Sequence, residues 1–193
     1  LKIFDERIEA MMTSRDYEII NFINNYKVAT TSTIAEVFFP SVRSCYKRLA
    51  MIYKEKMIRR TRDFVSQEYI YHTKKTLPKQ LRHSILVTDF YRELHKKAEI
   101  LNFKIEPVYD DIRPDAVFGY RYNGKLDVGL LEVEISHKGF NYNKYEKFYI
   151  SGNYKNHYPI MPMIFIIGDN IKLPEKCNVK YKIINTDFSN FKL

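Results

Sequence analysis

The sequence predicts an α/β (α+β) protein in two parts: a small N-terminal domain of three helices and a β-hairpin over residues 1–76, then a mixed sheet flanked by helices over residues 77–193. Three observations carry this expectation. Apolar residues recur at helical spacing early in the chain and in short strand-like runs after position 100. Basic residues cluster near the end of the first pattern. Asn123–Gly124, a strong signal for a tight hairpin turn, sits between two β-rich runs. With 193 residues, 45% hydrophobic and 28% charged, the chain is long enough for one ordinary globular domain or two small ones.

In the first part, Ser14 is placed to cap a helix over 14–26 whose apolar stripe is Ile19, Ile20, Phe22, Ile23 and Tyr26. The polar run Thr30–Thr33 caps a second, short helix containing Ile34, Ala35, Val37 and Phe38. Pro40 ends it and Ser41 caps a third over about 41–55. That third helix has Val42, Cys45, Tyr46, Leu49 and Ile52 on one side, with Tyr46 and Leu49 read as core. Arg43, Ser44, Lys47 and Arg48 lie on the other. Met57–Arg62, a polar turn at Asp63–Ser66 and Glu68–His72 then read as a hairpin. Helix, short helix, polar-faced helix and hairpin is the order of a winged helix-turn-helix.

Residues 41–62 hold Arg43, Lys47, Arg48, Lys54, Lys56, Arg59, Arg60 and Arg62 against the single acid Glu55, and the whole chain is +9. A clustered positive field attracts polyanions, duplex DNA first among them. A helix of this width fits the major groove, so Arg43, Ser44, Lys47 and Arg48 are candidates for base or phosphate contact. Arg59, Arg60 and Arg62 on the hairpin are expected to touch phosphate alone, which positions the protein without reading sequence. The bland alternative is a solvated basic face without a partner. Two isolated cysteines, Cys45 and Cys177, give no zinc ribbon. With no leader pattern and no long apolar run, they read as reduced thiols of a cytoplasmic protein away from membranes. No heptad seam marks a dimer interface, and oligomerisation stays open.

Lys74–Lys79 reads as a linker, 80–101 as one long helix, 103–108, 114–122, 126–136, 161–167 and 179–184 as strands, and 143–156 as a helix. The informative residues here are acids. Glu132 and Glu134 interrupt an apolar strand and point to one face, because strand side chains alternate. A carboxylate set among apolar residues is costly unless paired, metal-bound or open to a cleft. Asp115, in Arg113–Pro114–Asp115 at the start of the preceding strand, would meet Glu132 if the two strands pair. Two carboxylates there suit a hard cation such as Mg²⁺ or Mn²⁺.

Pro114–Asp115 followed by Glu132–Val133–Glu134 resembles the motif of PD-(D/E)xK nucleases. With a winged helix ahead of it and Lys147 behind, the chain resembles the plasmid replication-relaxation protein family over nearly its whole length. The resemblance implies a nuclease-type fold and a role in replication or mobilisation of plasmids and related elements, alongside replication or mobilisation proteins. It makes Asp115 and Glu132 metal ligands, with the Val133 carbonyl available to complete the set. The motif ends in Lys in most such nucleases; here that position is Glu134, which some of them also carry, while others recruit a lysine from the next helix, where Lys144 and Lys147 lie. Glu93 and His83 are weaker candidates for the same cleft.

Two functions follow. One is a metal-dependent DNA endonuclease or nicking protein, with Asp115, Glu132, Glu134 and Lys147 as its catalytic set. The other is a non-catalytic DNA binder, such as a replication initiator, relaxosome accessory factor or transcriptional regulator, in which the site is degenerate and Glu134 pairs with Lys147. A tyrosine relaxase is disfavoured. It needs a histidine cluster, and no two of His72, His83, His95, His137 and His157 are one residue apart.

Overall fold

Short polar residues fix where the N-terminal helices begin. Helix α1 is Ser14–Tyr26. Its cap is Thr13, one residue earlier than expected: the Asp16 carboxylate reaches back to accept from the Thr13 amide at 2.6 Å and its hydroxyl at 2.8 Å. Helix α2 is Thr31–Phe38, where the Thr33 amide donates to Thr30 Oγ1 at 3.2 Å. Helix α3 is Val42–Lys54, where the Ser44 amide donates to Ser41 Oγ at 3.3 Å. The computed structural model describes residues 12–64, 66–136 and 139–193; His137 lies outside the described residues.

The three helices bury Ile19, Phe22, Ile23, Ile34, Ala35, Cys45, Leu49 and Ile52 against one another, together with Ile58 and Tyr71. Each large side chain so buried is worth about 1.5–3 kcal/mol. Strands β1 (Ala29–Thr30), β2 (Arg59–Arg62) and β3 (Tyr69–His72) form an antiparallel sheet in the order β1-β3-β2. β1 was not expected. It is two residues long, and its pairing of Ala29 with Tyr71 and Thr30 with Ile70 leaves no periodic trace in the sequence.

Helix α4 is Leu81–His95, shorter than the 80–101 predicted. Ala98 and Leu101 keep the helical spacing from Leu94, yet the helix closes with the Lys97 and Ala98 amides both donating to the Leu94 carbonyl, each at 2.9 Å. The chain then enters strand β4 (Glu99–Ile105). The chain divides into two compact units at Arg92/Glu93, within the last turn of α4, later than the expected 76/77. The reason is that α4 joins the first unit's structure: Tyr91 packs edge-on against Phe22 at 5.0 Å, and Thr33 Oγ1 donates to Asp89 Oδ1 at 3.0 Å.

The second unit is a five-stranded mixed sheet in the order β4-β5-β6-β7-β8, adding β5 (Ala116–Tyr122), β6 (Lys125–Val133), β7 (Met163–Ile167) and β8 (Tyr181–Ile184). β4, β5 and β6 run antiparallel; β6, β7 and β8 run parallel. The β5–β6 turn is the Asn123–Gly124 pair, with φ of 48° and 77°, the left-handed conformation that a two-residue hairpin requires. Helix α5 (Asn143–Ile150) lies in the crossover from β6 to β7 that parallel pairing demands. The predicted helix over 143–156 breaks at Gly152, φ 76°, and resumes as a 3₁₀ turn, Asn153–Asn156. Tyr145 and Phe148 of α5 pack with Val117, Leu130, Ile164 and Ile166 of the sheet.

Gly168 ends β7 under tight constraint. A side-chain carbon there would collide with the backbone carbonyl of Glu134, so Gly168→Ala is expected to lower stability by roughly 1–3 kcal/mol, read by thermal unfolding. Among the described residues no helix is long and apolar enough to cross a membrane.

Candidate functional sites: a basic face and a buried acidic cluster

In the first unit, Cys45, Leu49 and Ile52 form the buried stripe of α3. Tyr46 is one step, about 100°, off that stripe. It is therefore not core as expected but 46% exposed, beside Arg43 and Lys47, and Val42 is likewise exposed. This aromatic component was missed because Tyr46 also satisfied the apolar pattern. Arg43, Lys47 and Arg59 are exposed, and no ion pair with another described residue engages them.

Four of the seven predicted contact residues, Ser44, Arg48, Arg60 and Arg62, also have internal duties. The Ser44 hydroxyl donates to the Ser41 carbonyl at 2.7 Å, inside the helix cap. Arg48 turns inward: its Nε donates to Asp16 Oδ1 at 2.6 Å and its Nη2 to Asp16 Oδ2. Burial pushes the Asp16 carboxyl up, but the Arg48 and Thr13 hydrogen bonds outweigh it, and its pKa ends below the usual carboxylate range. Arg60 lies between the rings of Tyr53 and Tyr69, 4.2 Å from each centroid. That sandwich fastens β2 to the C-terminal end of α3, so the helix face and the hairpin form one surface.

Arg62 braces the loop beyond the hairpin, Nε donating to the Gln67 carbonyl at 3.2 Å. The loop is closed further by Asp63, whose carboxylate accepts from the Ser66 amide and hydroxyl at 2.9 and 2.6 Å.

In the second unit, Ala116 pairs with Leu131 and the Asp115 amide donates to the Leu131 carbonyl at 2.9 Å. One step further along the ladder, Asp115 and Glu132 come opposite each other on the sheet face that α5 covers. Asp115 Oδ2 accepts from the Val133 amide at 2.7 Å. Glu132 is 12% exposed and its Oε1 accepts from Lys144 Nζ at 2.7 Å and from the Tyr145 hydroxyl. Burial raises the Glu132 pKa; Lys144 opposes that and Asp115 adds to it. Burial and the Glu132 charge hold the Tyr145 phenol well above its ordinary pKa, so it stays a donor.

Glu134 and Lys147 stand apart from this cluster. The Glu134 carboxylate accepts from the Ser136 amide at 2.8 Å. Lys147 is exposed, 3.8 Å from Asp111, not paired with Glu134. The lysine beside the acids is Lys144, one helical turn earlier. Spacing alone put both lysines on one helix face, and which of them reached the sheet depended on how α5 crosses it. Tyr145 carried only the i, i+3 apolar signal it shares with Phe148. Glu93 instead pairs with Lys96 at 2.9 Å.

A set of three His, Cys, Asp or Glu side chains able to hold a metal does not occur among the described residues. Asp115 and Glu132 are carboxylates, the donor type that Mg²⁺ takes, and each already accepts hydrogen bonds from the protein. No family model, curated protein or solved structure matches the chain.

Proposed function

We propose that the protein binds duplex DNA through its first unit, read as a winged helix-turn-helix, and that its second unit is a PD-(D/E)xK nuclease-type fold in the service of plasmid or mobile-element replication. The observation that carries the DNA-binding reading is the joined surface of α3 and β2: Arg43, Tyr46 and Lys47 on the helix, Arg60 stacked between Tyr53 and Tyr69 as the fastening, and exposed Arg62 on the same strand face. Helix and ribbon together suit a major groove and a neighbouring phosphate row. Arg48 belongs to the support of that surface.

The experiment is fluorescence anisotropy with a mixed-sequence 30-base-pair duplex across a salt series. Affinity is expected to fall steeply with salt. Lys47→Ala and Arg43→Ala should each weaken binding and reduce the salt slope by about 1, with the thermal midpoint unchanged. Binding indifferent to salt and to both substitutions would remove the reading.

In the second unit, Asp115 and Glu132 are the residues that would hold Mg²⁺ or Mn²⁺, which when bound supplies water activation and stabilises charge on phosphate. Lys144 is suited to meet the phosphate; Tyr145 orients Glu132. A second reading, the non-catalytic binder, is favoured by one specific arrangement. Glu132 is already satisfied by Lys144 and Tyr145, and Glu134, in the motif's lysine position, is turned to Ser136. Such a group holds α5 to the sheet without any cation. Plasmid nicking separates the two.

A further inference from the structure

Phe64 is 90% exposed at the tip of the β2–β3 loop. A lone exposed apolar residue is ordinary; what sets this one apart is how the loop presents it. The Asp63 amide donates to the Glu68 carbonyl at 2.8 Å, and the Asp63 carboxylate holds Ser66. The Gln67 side chain donates to the Phe64 carbonyl at 2.7 Å, and Arg62 donates to the Gln67 carbonyl. Bonds on both sides thus pin the Phe64 backbone. The hairpin behind it carries Arg59, Arg60 and Arg62, so the ring leads a positively charged ribbon.

We propose that Phe64 is an apolar wedge that enters the minor groove of bound duplex DNA and partly unstacks a base step, while the exposed arginines of the strand behind it, Arg59 and Arg62, hold the flanking phosphates. This rests on the DNA-binding reading above. The chemistry favours DNA over an apolar protein partner because the tip grows out of the strand that carries Arg59, Arg60 and Arg62, and concentrated positive charge attracts a polyanion. A basic ribbon that carries an exposed aromatic ring at its tip has the makeup of minor-groove wedges, which exchange unstacking for a bent duplex.

The test uses the full chain and a 30-base-pair duplex with 2-aminopurine at a central TA step, a flexible step that unstacks readily. Wild-type protein is expected to raise 2-aminopurine fluorescence on saturation and to shorten the end-to-end distance of a dye-labelled duplex. Phe64→Ala should abolish both signals and weaken binding roughly five- to tenfold, the scale of a lost base–aromatic contact. Its salt slope should be unchanged, because no charge is removed. Phe64→Leu should restore most of the effect. The thermal midpoint of Phe64→Ala should match wild type, since Phe64 is 90% exposed.

If wild type binds with a steep salt slope but Phe64→Ala leaves affinity, fluorescence and bend unchanged, the wedge is overturned and DNA binding stands. If wild type binds no duplex, both fall. A Phe64→Ala effect confined to oligomeric state in sedimentation would assign the tip to a protein contact and overturn the wedge.

Discussion

Arg48→Ala is expected to lower the stability of the first unit by roughly 3 kcal/mol, measured by urea unfolding, whereas the neighbouring Lys47→Ala should stay within about 0.5 kcal/mol of wild type. Adjacent basic residues on one helix therefore have opposite roles. The Asp16 side chain is 0% exposed and that of Arg48 only 25%. Removing the guanidinium leaves a buried carboxylate with only the two Thr13 hydrogen bonds, and an uncompensated buried charge is the expensive outcome.

The pH dependence has a definite sign. In wild type the Asp16 pKa is lowered in the folded state, so its contribution is complete above the ordinary value of 3.8 and is lost as pH falls through the depressed one. In Arg48→Ala the largest remaining influence is burial, which raises the pKa, so protonation then favours the fold. The stability gap between the two proteins should narrow as pH falls below about 4. A double replacement, Asp16→Leu with Arg48→Met, should recover most of the loss. A gap below 1 kcal/mol, or one that widens in acid, would mean the pair is not holding α1 to α3.

This pair also marks what was legible in the sequence. Elements whose cause is local could be read. Pro40–Ser41 ends one helix and starts the next, Asn123–Gly124 makes a hairpin, and the 45-49-52 spacing gives α3 its buried stripe. Elements whose cause is a partner far along the chain could not. Asp16 and Arg48 lie on separate helices, and nothing around Arg48 distinguishes it from Lys47. β1 exists because β3 pairs with it. The end of α4 was overrun because Ile100 and Leu101 suit either a helix or a strand, and pairing with β5 decided between them.

The acidic cluster divides in the same way. Asp115 and Glu132 were legible as a pair, since antiparallel strands joined by a two-residue turn have a fixed register, and counting back from Tyr122–Lys125 brings the two acids opposite each other. The lysine was not. Lys144 and Lys147 share a helix face in sequence, but α5 lies on the sheet by Tyr145 and Phe148, and that contact brings Lys144 to Glu132 and leaves Lys147 beside Asp111.

Supercoiled plasmid incubated with the protein and Mn²⁺ is expected to be nicked, and Asp115→Asn and Glu132→Gln should each reduce the rate by more than the roughly 10–100-fold typical of losing an outer-shell partner. Tyr145→Phe is the sharper variant, because it removes one hydroxyl and keeps the ring that packs beneath α5. If Glu132 acts on the reacting phosphate, losing the hydroxyl that orients it should slow nicking by about 10–100-fold with DNA affinity unchanged. If Glu132 serves only to fasten α5, the same substitution should change the unfolding midpoint and nothing else. Lys144→Ala completes the set: it should depress nicking where Lys147→Ala does not, since Lys147 reaches neither acid. The absence of nicking by wild type in either Mg²⁺ or Mn²⁺, with tight salt-dependent binding retained, would leave the second unit as a scaffold whose half-buried Lys144 and Glu132 and buried Tyr145 hold one helix to one sheet.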